Sequence, residues 1–193
     1  VPYSALKIST GTNNAGPYTI ISEDGTKYFF EQPEFSGSQP GVSFNTSFYL
    51  TKIQTPDLTT SINIYYKQDA QIVQYIKNYQ LKHEMIWPVN GSQVLIVNST
   101  GQNNEFLSQS IPVMPDSITS DNETILFEYI ADRPDLRASR LSKIKVLNRI
   151  TRETIKILQF QHSYFGTVAA NNRRLRLDSL FVKDNSNTTG QQY

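Results

Sequence analysis

The chain has 193 residues, enough for one domain of ordinary size. It contains no cysteine, which excludes disulfides, thiolate metal sites and a cysteine nucleophile. It also has no apolar run of about 18 residues, the minimum for a membrane-spanning helix. Its aromatic content of 11%, almost all Tyr and Phe, favours strands over helices.

A first β-hairpin is predicted at residues 18–31. Residues 18–22 and 27–31 are rich in β-branched and aromatic side chains, which suit a pleated, half-buried surface. The turn between them has Asp24 and Gly25 at its centre, a strong signal for a tight hairpin connection.

A second hairpin is predicted from residues 48–54 and 62–66. Ile62, Ile64 and Tyr66 lie at alternate positions, so one face of their strand is expected to be buried. The flanking stretches are rich in Gly, Pro, Ser and Asn and are predicted as loops: residues 11–17 and 32–47.

The middle of the chain gives weaker patterns. Residues 69–78 fit helical spacing as well as strand spacing and stay open between the two, whereas residues 79–86 favour a strand. Further strands are predicted at residues 94–98 and 125–130. Turns or loops are predicted at residues 87–92, 98–104 and 111–124.

The clearest hairpin lies in the last third of the chain, where residues 142–146 and 155–165 flank a polar turn. A polar excursion at residues 132–137 precedes it. It is followed by a strand at 175–182, a turn at 184–190 and, at 191–193, the beginning of a return strand.

These elements predict an all-β protein, built as an antiparallel, hairpin-rich sandwich or curved open sheet of about ten to twelve strands. We expect residues 1–193 to form a single domain that is a piece of a longer or processed chain. The shared hairpin pattern of residues 18–67 and 118–165 predicts an internal duplication. A strand left without a partner would need cover from another domain or chain.

Charge is unevenly distributed although the net charge is only +1. Residues 1–132 carry 6 Lys and Arg against 13 Asp and Glu, while residues 133–193 carry 12 against 4. Such asymmetry can mark a nucleic-acid surface. The interpretation that we favour is attraction between the two parts of one sheet, or between this sheet and a neighbouring domain.

Several phrases occur in an order that resembles the N-terminal, non-repeat region of large RHS/YD-repeat-like surface proteins of Gram-negative, gut-type bacteria. The phrases are IISEDGTKYFF at 20–30, FYLTKI at 48–53, INIYY at 62–66, RLSKI at 140–144, HSYFG at 162–166 and RRLRLDSL at 173–180. The resemblance covers residues 18–182, and the fixed order of the phrases carries more weight than any one of them.

Two departures from that family limit what the resemblance implies. Phe48 stands where the family usually has Trp, and the tandem YD repeats are absent. The resemblance implies an all-β, shell-like or sandwich module of a protein exported to the cell surface, the periplasm or the outer membrane. It implies no activity.

No catalytic or metal constellation is evident. His83 and His162 lie in strand patterns beside apolar residues, and a zinc site would need three or four convergent ligands. The acidic residues that could serve acid–base chemistry lie in turns, where carboxylates are commonly solvated or capping: Glu23 and Asp24, Asp121 and Glu123, Asp132 and Asp135. The chain has no Gly-x-Ser-x-Gly elbow and no phosphate-binding loop.

Two groups of residues are candidates for binding. Trp87, Tyr75, Tyr79 and Tyr65 could form an aromatic platform for sugar rings, although such rings more often fill a core. Arg174 and Arg176 share one strand face and could bind an anion. Because no aromatic residues are interleaved with this pair in sequence, a solvated outer face, with Leu175 and Leu177 inside, is the preferred interpretation.

The sequence favours a non-enzymatic structural, scaffold or interaction module that needs no cofactor. Its expected partners are neighbouring domains of the parent chain or other surface proteins, and glycans are a further candidate; nucleic acid and a membrane span are not expected. One alternative is a carbohydrate-binding module that uses an aromatic surface. A second is a glycan-active hydrolase with Asp or Glu catalysis.

Overall fold

A computed structural model describes residues 6–11, 16–39, 42–86, 96–135, 138–166, 173–184 and 189–192. It is 71% strand, with no helix among these residues. The thirteen strands are β1 (Lys7–Thr10), β2 (Tyr18–Ile21), β3 (Lys27–Gln39), β4 (Val42–Gln54), β5 (Ser61–Gln68), β6 (Ile72–Ile86), β7 (Ile96–Ile111), β8 (Val113–Thr119), β9 (Glu123–Ile130), β10 (Arg140–Asn148), β11 (Thr154–Phe165), β12 (Arg174–Lys183) and β13 (Thr189–Gln192).

All thirteen strands belong to one antiparallel sheet. The main path runs in chain order, β1-β2-β3-β4-β5-β8-β9-β10-β11-β12-β13. Strands β6 and β7 pair with each other along their whole length and join the sheet through β7, which pairs with β3 at Phe35, Ser36 and Gly37. The prediction of an antiparallel all-β fold is confirmed, and of the two arrangements expected, the structure has the open sheet.

Asp residues build the first two hairpin turns in the same way. In the β2–β3 turn, Asp24 accepts hydrogen bonds from the Thr26 amide at 3.0 Å and the Thr26 hydroxyl at 2.9 Å, and also from the Ser22 hydroxyl. In the β4–β5 turn, Asp57 accepts from the amide and hydroxyl of Thr59. Such side-chain hydrogen bonds let the chain reverse without unsatisfied backbone groups.

Three predicted loops are wrong, because residues 32–47, 98–104 and 111–124 lie largely in β3, β4, β7 and β8. Pro33 and Pro115 wrongly indicated loops in these segments. Pro33 lies opposite Phe48 with register shifts on both sides, and Pro115 lies opposite Tyr66 beside another shift. Irregular positions of this kind tolerate a residue that lacks a backbone donor.

Other expectations need smaller corrections. The sheet has thirteen strands, slightly more than expected, and β1 lies in a segment for which no strand was predicted. Residues 72–78, left open between helix and strand, belong to β6, where pairing with β7 decides the conformation. The turn expected at residues 87–92 falls outside the described residues.

The sheet has almost no core of its own. Among the described residues, those with little exposure are Val113, Ala138 and Thr124, and no large side chain is fully buried. An antiparallel sheet with an apolar face normally packs that face against a second layer. In the described part of the chain no second layer is present, so both faces of the sheet are left without a covering layer.

Candidate functional site

One face of the sheet carries a continuous line of apolar side chains, here called the apolar stripe. Residues directly opposite each other on neighbouring strands share a face, as do residues two apart on one strand. By these two rules the stripe runs from β1 to β12 through Ile8, Ile20, Tyr28, Ile53, Ile62, Ile64, Ile118, Ile125, Phe127, Ile144, Leu158 and Val182.

The stripe is only half-covered. From β2 to β12, every member except Ile62 is half-buried by its neighbours within the sheet. Ile62 is 37% exposed, and Ile8, at the β1 edge, is 62% exposed. The accessible surface of the whole chain is 13879 Å². A compact protein of 22.0 kDa exposes about 9,300 Å², so this chain exposes roughly one and a half times the usual area.

The stripe ends in an apolar cleft of about 460 Å³ over β1 to β4. Tyr18 and Phe48 meet edge to face in its wall, with ring centroids 5.3 Å apart. Gly16 has a φ of +82°, and a Cβ there would lie 2.4 Å from the Phe48 ring, so only glycine fits at this position. The remaining lining residues are Ile8, Ile20, Phe30, Asn45, Thr46 and Ser47.

The opposite face is mainly polar over β1 to β5, β8 and β9. One cross-strand row consists of Ser9, Thr19, Phe29, Lys52, Asn63, Thr119 and Thr124. A groove of about 320 Å³ lies over β3, β4 and β5, and its lining combines Lys52 and Asn63 of the polar row with Ile64 of the stripe. Its lining residues are Glu31, Gln32, Thr51, Lys52, Asn63, Ile64, Tyr65 and Tyr66.

Tyr65 is the one member of the predicted aromatic platform that has a described side chain. It is 53% exposed and lines the groove. Trp87 lies outside the described residues, and Tyr75 and Tyr79 are placed only as positions of β6. Because β6 pairs with β7, whereas β5 pairs with β4 and β8, the strand order does not make these tyrosines neighbours of Tyr65.

The densest network of charged side chains in the described chain lies at the far end of β11, next to His162 and Tyr164, which continue the stripe face. We call it the polar corner and define it by Asp132, Arg133, Asp135, Arg140, His162 and Tyr164. Arg140 donates to both carboxylate oxygens of Asp132, at 2.6 and 2.7 Å. Its Nη1 also lies 3.3 Å from His162 Nδ1, which can accept that hydrogen bond only when the ring is neutral.

A second ion pair in the polar corner is well covered. Arg133 donates to both oxygens of Asp135, at 3.0 and 2.7 Å, and the Asp135 side chain is only 9% exposed. At the end of the loop between β9 and β10, Ser139 donates two hydrogen bonds to Asp69, from its amide at 2.6 Å and from its hydroxyl at 2.8 Å. The loop between β9 and β10 is thus anchored to the sheet by charge and by hydrogen bonds.

The environment shifts the pKa of every carboxyl group in this network downward. Hydrogen bonds from Arg140 lower the pKa of Asp132, and those from Arg133 lower the pKa of Asp135. Burial raises the pKa of Asp69, but hydrogen bonds from Ser139 outweigh it and the net shift is downward. Burial first, and then the nearby Arg140, lower the pKa of His162, which keeps its ring neutral near pH 7.

Arg174 and Arg176 lie on one face, as expected, but their surroundings differ from the expectation. Arg174 is directly opposite Phe165, and the Arg176 guanidinium lies 4.9 Å from the centre of that ring. An aromatic residue therefore does accompany the pair. Asp178 accepts from Arg176 at 2.7 Å and offsets its charge, and Leu177, expected inside, is 54% exposed.

Three of the six acidic candidates serve structural roles. Asp24 lies in the first turn, while Asp132 and Asp135 are held by arginines. Among the described residues no group of three or more His, Cys, Asp or Glu could hold a metal ion. Two ion pairs, Arg140 with Asp132 and Lys145 with Glu128, join the basic part of the chain to its acidic part.

The sequence missed the polar corner and the groove as units. Each joins residues that are far apart in the chain, such as Arg140 with His162 or Glu31 with Asn63. Alternation within β5 was the one signal that pointed to the groove, since it places Asn63 and Tyr65 on a single face.

Comparisons of the chain with protein-family models, with curated proteins and with solved structures found no match. Within the described residues, no helix has the length and apolar character needed to cross a membrane.

Proposed function

We propose that the chain is a non-enzymatic interaction module whose apolar stripe packs against another protein surface. The apolar stripe is the observation that carries this proposal. It crosses the sheet from β1 to β12 on one face only, while the opposite face is mainly polar over β1 to β5, β8 and β9. An amphipathic sheet of this kind becomes stable when a second layer covers its apolar side.

The exposed area agrees with a large interface. The excess over a compact protein of this mass is on the order of several thousand Å², the range of permanent protein–protein interfaces. The cleft at Tyr18 and Phe48 would take a side chain of the partner, since concave apolar spots commonly act as anchor points.

We place this module in a large exported bacterial surface protein, where neighbouring domains of the parent chain or other surface proteins would form the second layer. This setting is supported by the resemblance in the sequence to RHS/YD-repeat-like proteins. The sheet itself supports only the part of the proposal that concerns interaction.

Paired cysteine variants test the proposal, since the chain has no cysteine of its own. Ile144 lies on the stripe, and Lys143, one residue earlier in β10, lies on the opposite face. We expect Ile144→Cys and Lys143→Cys to react with a maleimide at similar rates in the purified chain. In the protein in its native cellular setting, Ile144→Cys should become protected at least about tenfold.

Lys143→Cys is the matched control, because it shares the strand and differs only in the face. Equal labelling of the two cysteines in the native setting would refute the proposal. Protection of Lys143→Cys alone would also refute it, because the partner would then lie on the polar face.

A further inference from the structure

We infer that the groove beside Tyr65, over β3, β4 and β5, binds a neutral carbohydrate. This second function goes beyond the proposed interaction through the stripe. The groove volume of about 320 Å³ lies at the lower end of the range for small-molecule sites. A shallow site of that size suits one or two sugar rings of a longer chain.

Tyr65 supplies an apolar surface for a sugar ring. Its side chain is 53% exposed, although its neighbours Ile64 and Tyr66 are half-buried, and its hydroxyl makes no hydrogen bond within the described chain. The C–H faces of pyranose rings pack on aromatic rings without any need for charge. Tyr65 thus offers a ligand both an exposed aromatic ring and a hydroxyl group that has no hydrogen bond within the described chain.

The wall behind Tyr65 is fixed by hydrogen bonds. The Tyr66 hydroxyl donates to the Leu50 carbonyl at 2.7 Å, and its ring lies 5.5 Å from that of Tyr49. Tyr49 in turn donates to Glu34. A site with a preset wall loses less conformational entropy when a ligand binds.

The polar side chains of the groove keep hydrogen-bonding capacity for a ligand. Thr51 Oγ1 lies 3.1 Å from both Glu31 Oε2 and the Phe29 carbonyl, and its single proton can serve only one of them. Asn63 makes one long hydrogen bond, 3.4 Å to Ser61 Oγ, which leaves its amide oxygen free. These groups both donate and accept, as sugar hydroxyls do.

The charges of the groove favour a neutral ligand over a polyanion. Among its lining residues, Glu31 and Lys52 are the charged ones, and they balance each other. A polyanion would require an excess of cations. Because Glu31 is the single carboxylate among the lining residues, the groove has the groups for binding but lacks the pair that glycoside hydrolysis commonly uses.

The test is affinity electrophoresis of the folded chain in gels that contain a neutral polysaccharide: xylan, mannan, an α-glucan or a β-glucan. We expect retardation in at least one gel. Tyr65→Ala should weaken that binding at least about tenfold, whereas Tyr65→Trp should keep it. Phe165→Ala is the matched control, since Phe165 is equally exposed, at 55%, but lies on β11, and it should bind as the wild type does.

Three results would overturn the inference: a folded wild type that binds none of the neutral polysaccharides, binding that Tyr65→Ala leaves unchanged, or binding confined to heparin and polygalacturonate. Should Tyr65→Ala fail to fold by circular dichroism, Asn63→Ala and Glu31→Gln test the same groove. Tyr65→Ala should leave the protection of Ile144→Cys unchanged, so the two proposals can fail separately.

Discussion

The stripe face is covered by its own chain at the polar corner and left open elsewhere. At the corner, the loop between β9 and β10 lies against β10 to β12, and Asp135 and Ala138 are nearly inaccessible. At the other end, Ile8 is 62% exposed, and the cleft beside Phe48 is open. The same face is therefore covered by the chain at one end and exposed at the other.

The two regions differ in the side chains that they carry. The chain uses arginine–carboxylate pairs where it covers itself, and these pairs are favourable when both partners keep their hydrogen bonds. Where no such loop exists, the face stays mainly apolar and carries no comparable network of charged side chains. A surface with that composition suits burial against another protein, and the polar corner forms its limit on one side.

Removal of Arg133 tests the covered region and should have the largest effect on stability. Arg133→Ala leaves the Asp135 carboxylate, 9% exposed, without its bidentate partner. We expect the free energy of unfolding in urea to fall by about 2–3 kcal/mol, below the range for fully buried pairs because the arginine keeps some exposure.

Lys145→Ala is the control for an exposed ion pair, and it lies on the face opposite to the stripe. Its partner Glu128 is 40% exposed, so loss of this pair should cost less than about 1 kcal/mol. If the two variants lost equal stability, the polar corner would be no more than another surface ion pair, and the comparison of the two regions would fail.

His162 should make the covered region sensitive to pH. Its pKa is lowered in the folded state, so the unfolded chain, with a pKa of about 6.5, takes up the proton first. The stability due to neutral His162 is therefore complete above about pH 6.5. It is lost as pH falls from there through the lower folded pKa, by at most about 1.4 kcal/mol per pH unit.

The measurement is urea unfolding at several pH values between about 7.5 and 5, for the wild type and for His162→Gln. Glutamine can still accept from Arg140 but does not titrate, and His83 is common to both proteins and cancels. We expect the wild type to lose stability relative to the variant on acidification. A constant difference across this range would show that His162 does not couple to folding.

Local signals in the sequence predict the hairpins well and the long pairings poorly. The β2–β3 and β10–β11 hairpins follow from turn chemistry and short-range alternation, which act within about ten residues. Strand β8 is different, because it pairs with β5 across the whole β6–β7 insertion. Its proline and polar residues indicate a turn locally, and only the distant partner makes them a strand.

The functional surfaces follow the same division. Alternation places Asn63 beside Tyr65 and Arg174 beside Arg176, because residues two apart share a face. It cannot place Asp69 near Ser139, or Phe165 against Arg176, since these contacts depend on which strands pair and in which register. The sequence therefore predicts single members of each site but not the assembled site.

The open region should depend on its turns, and Gly25→Ala tests this with a smaller expected effect than Arg133→Ala. Gly25 has a φ of +83°, and a Cβ there would lie 3.1 Å from Pro56 Cβ in the adjacent turn. We expect a loss of about 1–2 kcal/mol in urea unfolding, and a smaller loss for Gly25→Asn, since asparagine tolerates this backbone conformation better. Because Gly25 and Arg133 lie in different regions, their effects should add to within about 0.5 kcal/mol. A stronger coupling would mean that the sheet transmits strain between the polar corner and the open end, and the two regions could then no longer be treated as independent.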